Sequence, residues 1–263
     1  MIQNFKMVLL IGSAPDAVLA KDWDLSMFAQ RVAINNAWQI TPDWDYLVYP
    51  EDFAPERLPI SPLKSSQQLI AAPEFVPQQN SFGGFVYAGG TMAFTAGYWA
   101  LGALKPDLIA FLGCDMVYDT STGESSHFYG QGTPDPLRED VTLQSLEAKS
   151  VRFMSLAHGQ QCAVVNLSEQ PESRLLFPRL SQLDLATPEL PKQLLQQQAE
   201  LLNPAAAIHA LQAEQDLGYM VASGRYWEHT AEFDKTKLSD IDNLWLQAIT
   251  VAPALYLEAE PSR

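Results

Sequence analysis

The chain has 263 residues, a size that suits one large domain or one domain with an appendage. Its formal net charge is −15 and no cluster of Lys or Arg occurs, which excludes a nucleic-acid partner held through its phosphate backbone. Hydrophobic residues make up 47% and charged residues 18%, yet no apolar run nears the about 20 residues that cross a bilayer, so a soluble cytoplasmic protein without a transmembrane segment is expected. The early run Met7-Val8-Leu9-Leu10-Ile11 is too short for a signal h-region and reads as a first strand. Cys114 and Cys162 both lie in apolar segments, which points to buried packing rather than to a disulfide or a thiolate zinc site.

In chain order, short β-like runs alternate with helical stretches over the first 180 residues. That is the pattern of a mostly parallel sheet with helices on both faces, a Rossmann-like α/β fold. Strands are expected at 7–11, 32–35, 46–49, 68–71, 108–112 and 163–166. Helices are expected at 22–30, 91–104 and 141–158, the last with Val141, Leu143, Leu146, Val151, Met154 and Leu156 on its apolar side. Glu139 and Asp140 at its start suit the helix dipole. Between the third and fourth strands, the proline-rich stretch 50–62 reads as an ordered crossover loop or the edge of a lid.

Pro188 and Pro191 punctuate a polar connector and mark a boundary, giving a nucleotide-binding or catalytic domain over 1–183 and a helical C-terminal unit over 184–263. Helical spans at 192–202, 204–223, 226–235 and 239–251 make up the second unit, which leaves a protein partner through those helices open. Its aromatics Tyr219, Tyr226, Trp227, Phe233 and Trp245 recur at helix-compatible spacing and read as core packing. No repeat with a period of about 34 residues is visible.

Polar and small residues gather where the strands end. The first strand runs into Gly12-Ser13-Ala14-Pro15, a tight turn of small residues that serves either the backbone alone or an approaching phosphate or sugar. The next ends in Asn35 and Asn36, amides that can bond a base edge or a sugar hydroxyl, or cap a turn. Gly89-Gly90-Thr91 opens an apolar helix whose first N–H groups would suit an anion. The strand at 108–112 leads through Gly113-Cys114 to Asp115, placed to reach a ribose, a metal or a ring nitrogen, or to cap the following turn. Then comes Ser126-His127-Phe128-Tyr129-Gly130. His158 sits at a helix end where the dipole explains it, and His209 and His229 lack the spacing of a closed metal site. No metal is assigned. The paired serines lack a nucleophile-elbow context, so a serine hydrolase is not indicated.

Together these motifs resemble a family, over roughly residues 7–180. It comprises the bacterial sialyltransferases that use CMP-sialic acid, with the related flagellin-glycosylating motility accessory factors and archaeal 6-hydroxymethyl-dihydropterin pyrophosphokinases. Gly12-Ser13-Ala14-Pro15-Asp16 corresponds to that family's Gly-x-Gly-Pro-Ser turn, and Ile34-Asn35-Asn36 to its Asn-bearing strand end. Gly89-Gly90-Thr91 corresponds to its small-residue helix start, and Gly113-Cys114-Asp115 to its Gly-x-Asp. Ala14 and Asp16 depart from the family's Gly and Ser, and Gln131 stands where the sialyltransferase base falls, leaving His127 as the nearest substitute.

The resemblance implies sugar transfer from a CMP-sugar substrate to a glycan or other hydroxyl acceptor, without a tightly bound cofactor. His127 would act as base, Tyr118 and Tyr129 as donors to the nucleotide phosphate, and Asp115 as a contact to ribose or base. The pyrophosphokinase relatives imply an alternative, transfer of diphosphate from ATP to a small alcohol, with Asp115 holding Mg²⁺. A third reading is a non-catalytic nucleotide- or sugar-binding module.

Overall fold

The computed structural model describes residues 5–60, 62–117, 127–130, 140–187 and 189–250. Six strands, β1 (Met7–Ile11), β2 (Gln30–Ile34), β3 (Tyr46–Val48), β4 (Gln68–Ile70), β5 (Leu108–Leu112) and β6 (Ala163–Asn166), form one parallel sheet in the order β4-β3-β2-β1-β5-β6. All six occupy the expected places. β2 starts two residues early, where Arg31 bonds Asp45 through its backbone N and its guanidinium, and it stops at Ile34 because Asn35 adopts a φ of +53°. Chain order reverses at β1, which pairs with β2 on one side and β5 on the other, so the carboxyl ends of β1 and β5 form the topological switch point.

The strands are apolar along their whole length because both faces are covered. Val8, Leu10, Val32, Ile109 and Phe111 face one core, while Leu9, Ile11, Leu47, Ala110 and Leu112 face the other. The first core is closed by α1 (Ala72–Ser81), α2 (Phe85–Ala88), α3 (Met92–Trp99) and α4 (Leu146–Gly159), with α6 (Pro204–Leu217) and α7 (Lys235–Leu246) packed behind them. The second is closed by 3₁₀ turns at Pro15–Lys21, Leu25–Met27 and Asn35–Gln39 and by α5 (Leu190–Leu201).

Several helices differ from expectation for local reasons. No helix spans 22–30, since Asp24 accepts from Ser26 N, Phe28 is extended and Ala29 N already bonds Met7 O beside the sheet. The helix expected at 91–104 is α-helical through Trp99, then widens to a π turn over Ala100–Leu104 that Lys105 ends in the left-handed region. The span 141–158 divides because two caps interrupt it: Asp140 takes Thr142 N and Ser145 Oγ takes Ala148 N. Residues 226–235 form two 3₁₀ turns, and α7 starts only after Asp234, which caps Thr236 and Lys237. The helix α1 is additional, in a stretch without a readable pattern; Glu74 reaches back to Ala71 N and fixes its start.

Helices α6 and α7 are locked onto α4 by a buried charge network. Arg152, with no solvent exposure, bonds Glu214 twice at 2.8 Å and donates to Tyr98 Oη at 2.7 Å and to the Phe82 carbonyl. Trp245 Nε1 donates to the same Glu214 at 2.6 Å. Lys149 and Asp242 form a second buried pair between α4 and α7; burial nevertheless holds the Asp242 carboxyl above its ordinary pKa. Along the sheet edge, Gln198 of α5 donates to the Val164 carbonyl of β6 at 2.6 Å. Both cysteines are free and buried, and burial pushes their thiol pKa values up. No helix among the described residues is long and apolar enough to cross a membrane.

Candidate functional site

At the switch point the β1 and β5 ends touch. Gly12 N bonds Leu112 O at 2.8 Å and Ala14 N bonds Gly113 O at 3.0 Å. A Cβ on Gly12 would lie 2.2 Å from the Gly113 carbonyl oxygen, and one on Gly113, at φ +67°, would lie 2.5 Å from Ala17 Cβ. The small residues therefore permit strand ends to approach, and the Ala14 N–H is engaged within the protein. Phe128 N donates to Ser13 O at 3.0 Å, which brings the His127 loop onto the same turn. Gly12, Ser13, Ala14, Asp115 and His127 are thus gathered around one junction.

Beneath this junction lies a polar cluster that the sequence reading did not assemble. Asp115, 3% exposed, accepts from Asn166 Nδ2 at 3.1 Å and meets Ser168 Oγ at 2.6 Å, while the same hydroxyl meets Asp16 at 2.7 Å. Glu169 N also donates to Asp16, whose second oxygen, Oδ1, is buried without a partner among the described residues. Burial raises the Asp115 pKa, its bonds to Ser168, Ser173 and Asn166 pull it back, and the Asp16 charge raises it further. Asn166 is the last residue of β6, as Asn35 is the first after β2, and that strand-end position was the available signal.

His127 is 7% exposed, and burial lowers its pKa. Its ring stacks on Tyr129 at 4.9 Å, and Tyr129 remains 43% exposed. Tyr118 and Gln131 lie outside the described residues. Asn35 Oδ1 is buried without a hydrogen-bond partner among the described residues, and Asn36 is buried in the 3₁₀ turn that follows β2.

A cavity of about 900 Å³ opens at the carboxyl edge of the sheet, between the loop after β3, the start of α3 and the segment 223–235. Gly90 lines it, whereas His127 and Asp115 do not. The Gly89 N–H bonds Phe85 O at 2.9 Å and the Gly90 N–H bonds Thr142 Oγ1 at 3.0 Å, so neither faces a ligand. Thr91 caps α3 by accepting from Phe94 N, leaving the first-turn N–H groups of Met92 and Ala93 without intrahelical partners. Asp140 joins the two walls: it accepts from Thr142 Oγ1 at 2.7 Å and from Tyr226 Oη at 2.7 Å. Across the mouth, Arg225 pairs with Glu51 at 2.6 Å and with Glu228 at 3.3 Å.

Fold and site together define a parallel α/β protein with a switch-point polar cluster and a ligand-sized chamber at the carboxyl edge of its sheet. No family model, curated protein or solved structure matches the chain.

Proposed function

We propose that the protein transfers a sugar from a CMP-sugar to a hydroxyl acceptor, with the donor bound across the carboxyl ends of β1, β2 and β5. The observation that supports this most is the Phe128–Ser13 backbone bond, which fixes a base candidate, His127, against the Gly12–Pro15 turn where the nucleotide is proposed to bind. A pKa lowered by burial keeps the imidazole neutral near pH 7, ready to accept a proton. Asn35 Oδ1, without a hydrogen-bond partner among the described residues, offers an acceptor to a base amino group or a sugar hydroxyl.

In this reading the acceptor oxygen passes its proton to His127 and bonds to the anomeric carbon. The bond from that carbon to the phosphate oxygen breaks, and CMP leaves. Tyr129 and Tyr118 are the proposed donors to the departing phosphate. The nucleotide sugar is a substrate, and a cytoplasmic location fits its supply. Transfer of diphosphate from ATP asks Asp115 to hold Mg²⁺, yet both its oxygens are engaged by Asn166 and Ser168, which weakens that alternative.

Thermal-shift titration with CMP, CDP, UDP, GDP and ATP, each with and without Mg²⁺, tests the reading. Selective stabilisation by CMP without metal supports sugar transfer. Stabilisation by ATP with Mg²⁺ alone moves the assignment to diphosphate transfer, and no shift with any nucleotide leaves a non-catalytic module.

A further inference from the structure

Among the aromatics of the C-terminal segment, Trp227 behaves differently from the rest. Tyr226, Phe233 and Trp245 are 4%, 8% and 0% exposed, whereas Trp227 is 53% exposed and lines the large cavity. An indole left half in water forgoes burial that its neighbours obtain, and a concave wall is where a ligand would restore it. Its support is firm. Tyr226 meets Trp227 edge-on at 5.5 Å, stacks on Phe85 at 6.2 Å on its other side, and is tied to Asp140.

The surroundings define what fits against that ring. Glu51 and Asp52 bring acceptors, and Arg225 and Lys235 bring donors, so hydrogen-bonding groups of both signs line the same cavity as the indole. A planar nucleobase could stack there, but the lining carboxylates Glu51, Asp52 and Asp140 outnumber the cations Arg225 and Lys235, a balance that disfavours phosphates. A phosphate-free pyranose matches the whole set: one C–H face for the indole and a rim of hydroxyls that both donate and accept.

We propose that this cavity is a saccharide subsite for a neutral pyranose, with Trp227 as its platform. Binding of the pyranose does not rest on the transferase reading above, since His127 does not line this cavity.

The test is saturation-transfer NMR on the full chain with the methyl glycosides of glucose, galactose and mannose, alongside the CMP thermal shift on the same samples. Wild type should transfer saturation to the C–H protons of one ring face. Trp227→Ala should keep its melting temperature and its CMP response while binding the glycoside about five- to tenfold more weakly, and Trp227→Phe should fall between. Glycoside binding lost in the variant while CMP gives no shift in either protein would uphold the saccharide subsite and remove the transferase reading. No saturation transfer in wild type, or equal transfer in Trp227→Ala, overturns the proposal even where CMP binds.

Discussion

Asp16 and Asp115 place carboxylate oxygens 2.7 and 2.6 Å from one hydroxyl, Ser168 Oγ. A hydroxyl has a single hydrogen to donate, so two such contacts require one carboxyl to bring its own. Asp115 is the more buried of the two, and burial raises its pKa, which favours it as the site of that proton. This cluster clamps the β1 turn, the β5 end and the β6 end together from below the junction.

A pH dependence follows from that proton. Because the folded-state pKa of Asp115 lies above its unfolded value, its contribution to stability is complete below the unfolded value and is lost as pH rises through the folded one. Asp115→Asn keeps a donor toward Ser168 and an acceptor toward Asn166 without titrating. Denaturation at a series of pH values should show the variant gaining on wild type as pH rises, by about 1–3 kcal/mol at the alkaline end. A difference that stays flat with pH would place the proton elsewhere.

Arg152 and Glu214 set the second expectation. Arg152→Met leaves the Glu214 carboxylate buried with only the Trp245 indole to satisfy it, which should lower stability by about 3–5 kcal/mol. Replacing both, as Arg152→Met with Glu214→Leu, should recover part of that loss in urea titration, since no charge then remains buried alone.

For His127 the sign runs the other way. Its lowered pKa means the neutral, proton-accepting form persists below the ordinary 6.5, so the acid limb of kcat/KM should fall beneath that value. His127→Ala should cut turnover by about 100- to 10,000-fold. Unchanged turnover in that variant removes His127 from the chemistry.

Two glycines make opposite forecasts. Gly12→Ala forces a Cβ to 2.2 Å from the Gly113 carbonyl oxygen, a backbone atom that cannot move aside, and should cost about 1–3 kcal/mol. Gly159, the last residue of α4, has nothing within 4 Å of the added Cβ, and Gly159→Ala should stabilise by up to about 1 kcal/mol. Melting temperatures of the pair should move in opposite directions.

How far the sequence could be read depended on where each signal was stored. β1, β5 and β6 stood out as short apolar runs because both faces of the sheet are buried, and a periodic apolar side marked α4. α1 was hidden by Pro73 and Pro77 within a Gln-containing stretch, and its cap comes from Glu74 bonding Ala71 rather than from a Ser or Asp. The strand-end residues Gly12, Asn35 and Asp115 were visible one at a time. Their partners Asn166 and Ser168 come from the far side of α4, and only the β5–β6 pairing brings them in. The cavity was illegible for the same reason: its walls come from residues near 51, 90, 140 and 226. Trp227 shares its spacing with buried aromatics, and only its exposure sets it apart.

The Arg152–Glu214 pair also bears on how the chain matures during synthesis. Arg152 leaves the ribosome 62 residues ahead of the carboxylate that neutralises it. Until α6 arrives, seating α4 fully on the sheet would strand a guanidinium in an apolar interior, a state unfavourable by several kcal/mol. Full seating of α4 on the sheet is therefore expected to await α6 and α7, so that closing this face of the core is one of the last steps of folding.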